Sequence, residues 1–130
     1  MNEGTKYPMS IGVLAKGLGI TTRTIRYYEE IGLMPPSPRT SGGVRVYTKE
    51  EILRLKFILK LKELGLELSE MEELSALYEQ SRSQEKVMPR LVQILDQHIA
   101  KVDEKMGRLA SLRAELAQYR KRIAEFKETP

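Results

Sequence analysis

The C-terminal third of the chain carries the feature that most restricts its fold, a sustained heptad repeat. Between residues 91 and 126, mainly apolar residues recur at alternating steps of four and three, and only Gly107 interrupts the helical pattern. This spacing is typical of a coiled coil. At about 1.5 Å per residue, a helix of this length spans nearly 60 Å. A small domain cannot cover so long an apolar stripe, so we predict that a second chain covers it.

The predicted dimerisation helix begins at Pro89, since proline suits the first position of a helix. Two polar residues, His98 and Lys105, interrupt the heptad seam. We expect His98 to fix the register or to lie at the solvent edge rather than to act as a sensor. The positions that we predict to contact the partner chain are Leu95, Val102, Leu109, Leu112, Leu116, Tyr119 and Ile123.

Residues 9–33 predict two short helices joined by a tight turn. Ser10 is placed to cap the first helix and Gly19 to end it, while Thr21 or Thr22 can cap the second. Two short crossed helices joined through a glycine form a helix-turn-helix unit. The apolar residues that share one face of the first helix, at i, i+3, i+4 and i+7, are Ile11, Leu14, Ala15 and Leu18.

The second of these helices places cations and a phenol on one face. The outward face holds residues at i, i+3, i+4 and i+7, namely Arg23, Arg26, Tyr27 and Glu30, whereas Ile25 and Leu33 point toward the first helix. A helix with such a face is typical of one that enters a DNA groove. The alternative is a small helical hairpin with an ordinary solvated basic face, because short helix-turn-helix patterns have many false positives. The residues of this helix that we predict to contact DNA are Thr22, Arg23, Arg26 and Tyr27.

The segment between residues 34 and 48 predicts a small β-hairpin, or wing. Three prolines at its start exclude a helix. Residues 39–41 and 44–47 then form the two strands around a turn at Gly42 and Gly43. Alternation along the second strand places Arg45 on the face opposite the valines. We predict a phosphate or minor-groove contact for Arg45, and the alternative is a solvated strand residue.

Thr48 and Glu51 predict a capping box at the start of a third helix, which Gly65 ends. Lys60 and Lys62 belong to its polar surface. These lysines are either DNA contacts beside a loop that acts as a second wing or plain solubilising charges, and the sequence leaves both interpretations open.

A second capping box, Ser69 with Glu72, predicts the start of a fourth, short helix. The polar residues that follow it predict a linker between this part of the chain and the dimerisation helix. The domain organisation that we predict is a winged helix-turn-helix DNA-binding domain at residues 1–80, a linker at residues 81–88 and a coiled-coil helix at residues 89–130. The predicted fold class is therefore mainly α.

Charge is unevenly distributed along the chain. Residues 1–66 hold 11 of the 22 Lys and Arg residues but only 6 of the 18 Asp and Glu residues, so the positive field belongs to the half with the helix-turn-helix. There is no cysteine and one histidine, so we expect no disulfide, no metal and no cofactor. Neither a membrane-spanning run nor a signal peptide is evident, which predicts a soluble cytoplasmic protein.

Taken together, these motifs resemble those of MerR-family transcriptional regulators. The resemblance rests on Arg-Tyr-Tyr at residues 26–28, Arg-Val-Tyr at residues 45–47 followed by Thr48, Leu-Gly-Leu at residues 64–66 before Ser69, and the long terminal helix. It covers nearly the whole chain. The chain departs from the family pattern at Val44, where many members carry an aromatic residue. It also lacks the sensing cysteines of some members, and we expect it to lack their large C-terminal ligand-binding domain.

The resemblance implies a winged-helix DNA-binding domain joined to an antiparallel coiled-coil homodimer. It implies binding to double-stranded, pseudo-palindromic promoter DNA whose two promoter elements lie unusually far apart, with RNA polymerase as a partner. It further implies that Arg26 and Tyr27 contact DNA, that Arg45 is the wing contact, and that Tyr28 is a DNA-site residue with a partly structural role.

Three functions compete at this point. A dimeric promoter-binding regulator agrees with the basic half, the wing and the dimer helix together. A protein-binding adaptor on the same scaffold would instead need an acidic or apolar recognition face. An enzyme is not supported, because the sequence assembles no nucleophile with a base, no phosphate-binding glycine loop and no metal-ligand group. Whether a regulator of this kind activates, represses or simply blocks a promoter stays open.

Overall fold

The computed structural model describes residues 7–36, 43 and 45–126. The chain divides between residues 87 and 88 into two compact units. The mainly helical architecture that the sequence predicts is confirmed. The elements in chain order are β1 Met9–Ser10, α1 Ile11–Leu18, α2 Thr22–Glu30, β2 Val46–Tyr47, α3 Lys49–Glu63, α4 Leu68–Ser81 and α5 Gln84–Phe126.

The turn between α1 and α2 is built by local side-chain and backbone chemistry. The Ser10 hydroxyl accepts the Val13 N–H (3.4 Å) and caps α1, while Gly19 at φ +70° ends it. A left-handed φ suits glycine because it has no Cβ. The Thr21 hydroxyl accepts the Thr24 N–H (3.1 Å), so Thr21 is the cap of α2 and Thr22 is its first residue.

A two-stranded antiparallel sheet joins the start of the chain to the strand before α3. Met9 pairs with Tyr47 and Ser10 pairs with Val46. The sequence predicts a strand at residues 44–47, which contains β2, but it does not predict β1. The strand that we predict at residues 39–41 and the glycine turn lie outside the described residues, apart from Gly43.

Helices α3 and α4 are joined by a turn that contains Gly65, and both begin with a reciprocal side-chain cap. The predicted capping box is confirmed at α3, where Glu51 accepts the Thr48 N–H (3.0 Å) and Thr48 accepts the Glu51 N–H (3.3 Å). The predicted box at Ser69 is wrong. The cap lies two residues earlier, at Glu67, so α4 begins at Leu68, and Glu70 accepts the Glu67 N–H (2.9 Å).

The core of the first unit is apolar and draws on every helix from α1 to α4. Its fully buried side chains include large aromatic and branched residues from both the helix-turn-helix and the strand β2. Because apolar burial is the main favourable term in folding, this core holds the short elements together. The buried residues that contribute most volume are Tyr28, Tyr47, Leu14, Ile25, Leu33, Met34, Ile52 and Leu55.

Arg54 on α3 connects three parts of the first unit through one guanidinium group. It donates to the Leu33 carbonyl (2.8 Å), to the Ser75 hydroxyl (2.9 Å) and to the Glu79 carboxylate (2.8 Å). Its Cζ also lies 5.5 Å from the centroid of the Tyr78 ring. The planar guanidinium can serve several acceptors at once, which a lysine ammonium could not do in this geometry.

Helix α5 begins at Gln84, so the prediction that it starts at Pro89 is wrong. The Ser83 hydroxyl accepts the Glu85 N–H (3.1 Å) and starts the helix there. Pro89 lies inside the first turns, where it forgoes one backbone hydrogen bond. Of the predicted linker, only Arg82 and Ser83 lie outside a helix. Within the described residues, no helix is both long and apolar enough to span a membrane.

Candidate nucleic-acid interface

Helix α2 buries one face and exposes the other. Ile25 and Tyr28 are buried, whereas Arg23 and Arg26 are exposed and Tyr27 is 45% exposed. The buried pair lies three residues apart and anchors the helix, which leaves the side with Arg23, Arg26 and Tyr27 exposed to solvent. The structure therefore brings together the three side chains that the sequence predicts for this face.

The N-terminal end of α2 is suited to a negatively charged ligand. The first turn contains no acidic residue, and the Arg26 guanidinium donates to the half-buried Thr22 hydroxyl (3.4 Å) one turn earlier. Backbone N–H groups at a helix start carry partial positive charge and favour phosphate. The start of α2 is thus a continuous edge of hydrogen-bond donors and positive charges, formed by Thr22, Arg23 and Arg26.

Tyr28 belongs to the core rather than to the surface. Its side chain is 2% exposed, so a direct contact with DNA would require the ring to leave the core. The ring lies 5.7 Å from that of Tyr27, and the Lys62 Nζ lies 6.0 Å from its centroid. Among the described residues its hydroxyl has no hydrogen-bond partner. Tyr28 supports the exposed Tyr27 from beneath.

Arg45 lies just before β2 and faces the C-terminal end of α2. Its Nη1 donates to Oε2 of Glu29 (3.1 Å), and the Tyr47 hydroxyl donates to Oε1 of the same carboxylate (2.9 Å). The Arg45 side chain is 29% exposed and that of Glu29 is 9% exposed. Arg45 is therefore neither a fully solvated strand residue nor a free cation, because its guanidinium is paired with a carboxylate of α2.

Lys60 and Lys62 are both exposed on the last turns of α3. Lys60 Nζ lies 3.7 Å from Glu63 on the same helix, in a pair that is open to solvent. Such exposed pairs contribute little to stability. The predicted role of both lysines in DNA binding stays a prediction.

Helix α5 carries an exposed apolar stripe over most of its length. Within the described part of the helix, eight large apolar residues from Val102 onward are 49–78% exposed, which is unusual because solvated helices rarely present so many in series. Leu95 is half-buried, and the other predicted dimer residues lie on the stripe. The exposed members are Ile99, Val102, Met106, Leu109, Leu112, Leu116, Tyr119, Ile123 and Phe126.

The described residues contain no group of three His, Cys, Asp or Glu side chains that could hold a metal ion. The chain has no cysteine at all. Thiolate coordination, which many zinc and soft-metal sites require, is therefore not available to it.

Two residues with clear roles were not predicted from the sequence, Glu29 and Arg54. The sequence around Glu29 does not distinguish it from its neighbour Glu30, because the partners of Glu29 lie 16 and 18 residues away. Arg54 gives no local signal, because its acceptors come from three separate segments.

Comparison with known proteins adds an independent line of evidence. Residues 9–77 match the family described as "MerR HTH family regulatory protein", and residues 52–119 match the family described as "MerR, DNA binding". The chain is 43% identical over 122 residues to the HTH-type transcriptional regulator ZntR homolog of Haemophilus influenzae, covering 94% of this chain and 88% of that protein.

Two solved structures are similar to this fold. The transcription regulator PbrR691 of Ralstonia metallidurans, solved in complex with lead(II), is 33% identical, with a TM-score of 0.66 and coverage of 87% and 86% of the two chains. HiNmlR, a MerR family regulator lacking the sensor domain and bound to promoter DNA, is 23% identical, with a TM-score of 0.63 and coverage of 88% and 91%. The match to HiNmlR shows a shared fold.

The shared fold and the family matches support the same function as the exposed cationic face of α2. The family matches together span residues 9–119, which include the helix-turn-helix and most of α5. The chain belongs to the MerR family of helix-turn-helix regulatory proteins, and it is a DNA-binding transcriptional regulator, not an enzyme.

Proposed function

We propose that this regulator binds promoter DNA as a homodimer, with α2 of each chain in the major groove. The observation that carries the proposal is the exposed cationic face of α2, with Arg23, Arg26 and Tyr27 on one side of a helix whose other side is buried. Arginine suits both phosphate and the guanine edge. An adaptor that bound proteins would gain little from such a face.

The same proposal includes an antiparallel coiled coil of two α5 helices. Its support is the exposed apolar stripe, since a series of solvated leucines is stabilised when another helix covers it. The family resemblance supplies the antiparallel direction. An antiparallel pair would hold the two DNA-binding units at a fixed separation, as two half-sites in a pseudo-palindrome require.

A fixed separation has a mechanical consequence for the DNA. When two promoter elements lie too far apart, they face different sides of the double helix and RNA polymerase cannot engage both. A dimer that docks in successive grooves can bend and untwist the spacer, at a deformation cost of about 1–6 kcal/mol. We infer that this distortion is how the regulator assists RNA polymerase, and the alternative is a roadblock repressor that leaves the spacer undistorted.

The experiment that tests DNA binding and dimerisation together is footprinting on the DNA upstream of the coding region. A dimeric regulator should protect two symmetric half-sites, and protection should weaken steeply with salt because bound phosphates release counterions. Protection of a single asymmetric site, or no protection at low ionic strength, would contradict the proposal.

The direction of the helix pair has its own test, and the absence of cysteine makes it simple. Single cysteines at Asp103, Ala110 and Ala117 would carry one spin label per chain. In a parallel pair all three label distances would be equal, whereas in an antiparallel pair the distance changes by about 3 Å for every residue moved along the helix. Equal distances at the three positions would exclude the antiparallel arrangement.

A further inference from the structure

The Glu29 carboxylate joins α2, the proposed recognition helix, to the wing strand β2 and to Arg45, the residue before it. It belongs to the last turn of α2, and both of its oxygens are used: Oε2 accepts from Arg45 and Oε1 accepts from Tyr47. Tyr47 is fully buried and pairs with Met9 in the sheet, so it is a fixed anchor. A carboxylate that binds two donors from one side of a strand has little freedom to rotate.

This arrangement fixes the direction of the Arg45 guanidinium. Arginine has five N–H donors in a rigid plane, so holding Nη1 against Glu29 orients the rest of the group. At 29% exposure the Arg45 side chain still has an accessible edge. At 3.1 Å this hydrogen bond is not a short one, but it joins two charged groups, and such bonds are stronger than neutral ones, which favours this orientation.

We propose that Glu29 is a positioning residue for DNA binding. It holds Arg45 in an orientation that lets the wing and α2 contact the phosphate backbone together. The proposal rests on the proposed contact of Arg45 with DNA. Glu29 itself touches no DNA in this scheme. It acts by removing the rotamer freedom that Arg45 would otherwise lose on binding.

The direction in which DNA affinity changes when the Glu29 charge is removed distinguishes this positioning role from that of an ordinary acidic neighbour. A carboxylate near the DNA surface repels phosphate, so if Glu29 were merely an acidic neighbour, removing its charge would tighten binding. If it positions Arg45, removing its charge weakens binding despite the gain in net positive charge. The two interpretations therefore predict opposite changes from the same substitution.

The decisive variants are Glu29→Gln and Glu29→Asp, with Glu30→Gln as the matched control. Glutamine can still accept from Tyr47 but presents an amide N–H₂ to Arg45, and aspartate keeps the charge but is one methylene too short to reach both partners. We expect both Glu29 variants to bind operator DNA about tenfold more weakly, the ratio that one charge-assisted hydrogen bond supplies. Glu30 is exposed on the same turn, so Glu30→Gln should bind at least as tightly as the parent.

The salt dependence of binding gives a readout that a merely structural defect would not change. Loss of one phosphate contact lowers the slope of log K against log salt by about 0.9. We expect this reduction in Glu29→Gln, the same reduction in Arg45→Ala, and no further loss when Glu29→Gln is added to Arg45→Ala. Thermal unfolding of each variant verifies that the measurements are made on folded protein.

Each outcome has a defined meaning. If Arg45→Ala binds like the parent with an unchanged slope, the proposed DNA contact of Arg45 is wrong, and the positioning role is wrong with it. If Arg45→Ala weakens binding but Glu29→Gln does not, only the positioning role is overturned. Weaker binding of Glu29→Gln with a parental slope, or equal losses in the presence and absence of Arg45, would also overturn it.

Discussion

At the scale of residues, we propose that single side chains on α2 decide how strongly the regulator binds DNA. We expect Arg26→Ala to weaken operator binding by about 10- to 100-fold, because a hydrogen bond to a charged group contributes about 1.5–3 kcal/mol. Tyr27→Phe removes only a neutral hydroxyl and should weaken binding by about fivefold. Electrophoretic mobility shifts at one ionic strength measure both. Parental affinity of Arg26→Ala would show that this face does not bind DNA, and sedimentation should show an unchanged dimer in both variants.

Arg54 illustrates a residue whose effect is on stability rather than on binding. Arg54→Ala leaves the Leu33 carbonyl, the Ser75 hydroxyl and the Glu79 carboxylate without their donor. We expect a loss of about 2–4 kcal/mol in the free energy of unfolding, measured by urea denaturation. Lys60→Gln, which removes a solvent-exposed pair with Glu63, is the control and should change stability by less than about 0.5 kcal/mol. Equal effects of the two substitutions would contradict the prediction.

The ion pair between Arg54 and Glu79 makes a small part of the folding stability depend on pH. The hydrogen bond from Arg54 lowers the pKa of the Glu79 carboxyl, assisted by the charges of Arg54 and Arg82 and opposed by partial burial. A lowered pKa means that the stabilisation is present above the pKa of the unfolded chain and is lost as pH falls through the folded one. Glu79→Gln should therefore be less stable than the parent at neutral pH, and the gap should close in acid. A gap that widens in acid would exclude this origin.

At the scale of elements, we propose that α5 decides assembly of the dimer. Leu112 lies in the middle of the exposed stripe, so Leu112→Asp would place an unpaired carboxylate against the partner helix. We expect the dimer to be weakened by more than about 3 kcal/mol, and two-half-site binding to be lost with it. Sedimentation equilibrium measures the first effect and footprinting the second.

The matched control for this substitution is Ala114→Asp, two residues away on the other side of α5 and also exposed. It adds the same charge to the same helix but not to the seam, so we expect a parental dimer. If the parent sediments as a monomer at micromolar concentration, or if the two variants dissociate equally, the stripe is not the dimer surface.

For the whole molecule, the question is whether the bound dimer distorts the promoter spacer. We expect the central base pairs to become reactive to a probe selective for unstacked bases when the regulator activates transcription. Unreactive, unbent central base pairs under every effector tested would favour the roadblock repressor.

The composition adds a chemical prediction to the same assay. Because the chain has no cysteine, thiol oxidants and thiophilic metals should leave its DNA affinity and central-base reactivity unchanged. The assay is the same base-reactivity measurement with and without these agents. A change in either quantity would require a ligand set other than thiolates.

Local chemistry explains what the sequence determined by itself. Several features act within four or five residues, so a short stretch of sequence contains both partners. They are the cap at Ser10, the left-handed Gly19, the Thr48–Glu51 capping box and the 3.6-residue periods. The cationic face of α2 and the apolar seam of α5 follow from the same spacing rules. These features fixed the mainly helical fold and the DNA-binding function.

Tertiary structure decided the contacts that join distant segments. The pairing of Met9 with Tyr47, the burial of Tyr28 and the ion pair between Glu29 and Arg45 depend on partners that periodicity cannot identify. The start of α5 at Gln84 belongs here too, because a proline inside the first turns is tolerated when the surrounding helix is otherwise stabilised. Local rules specify on which face of its helix or strand a side chain lies, whereas packing between distant segments decides which residues that side chain contacts.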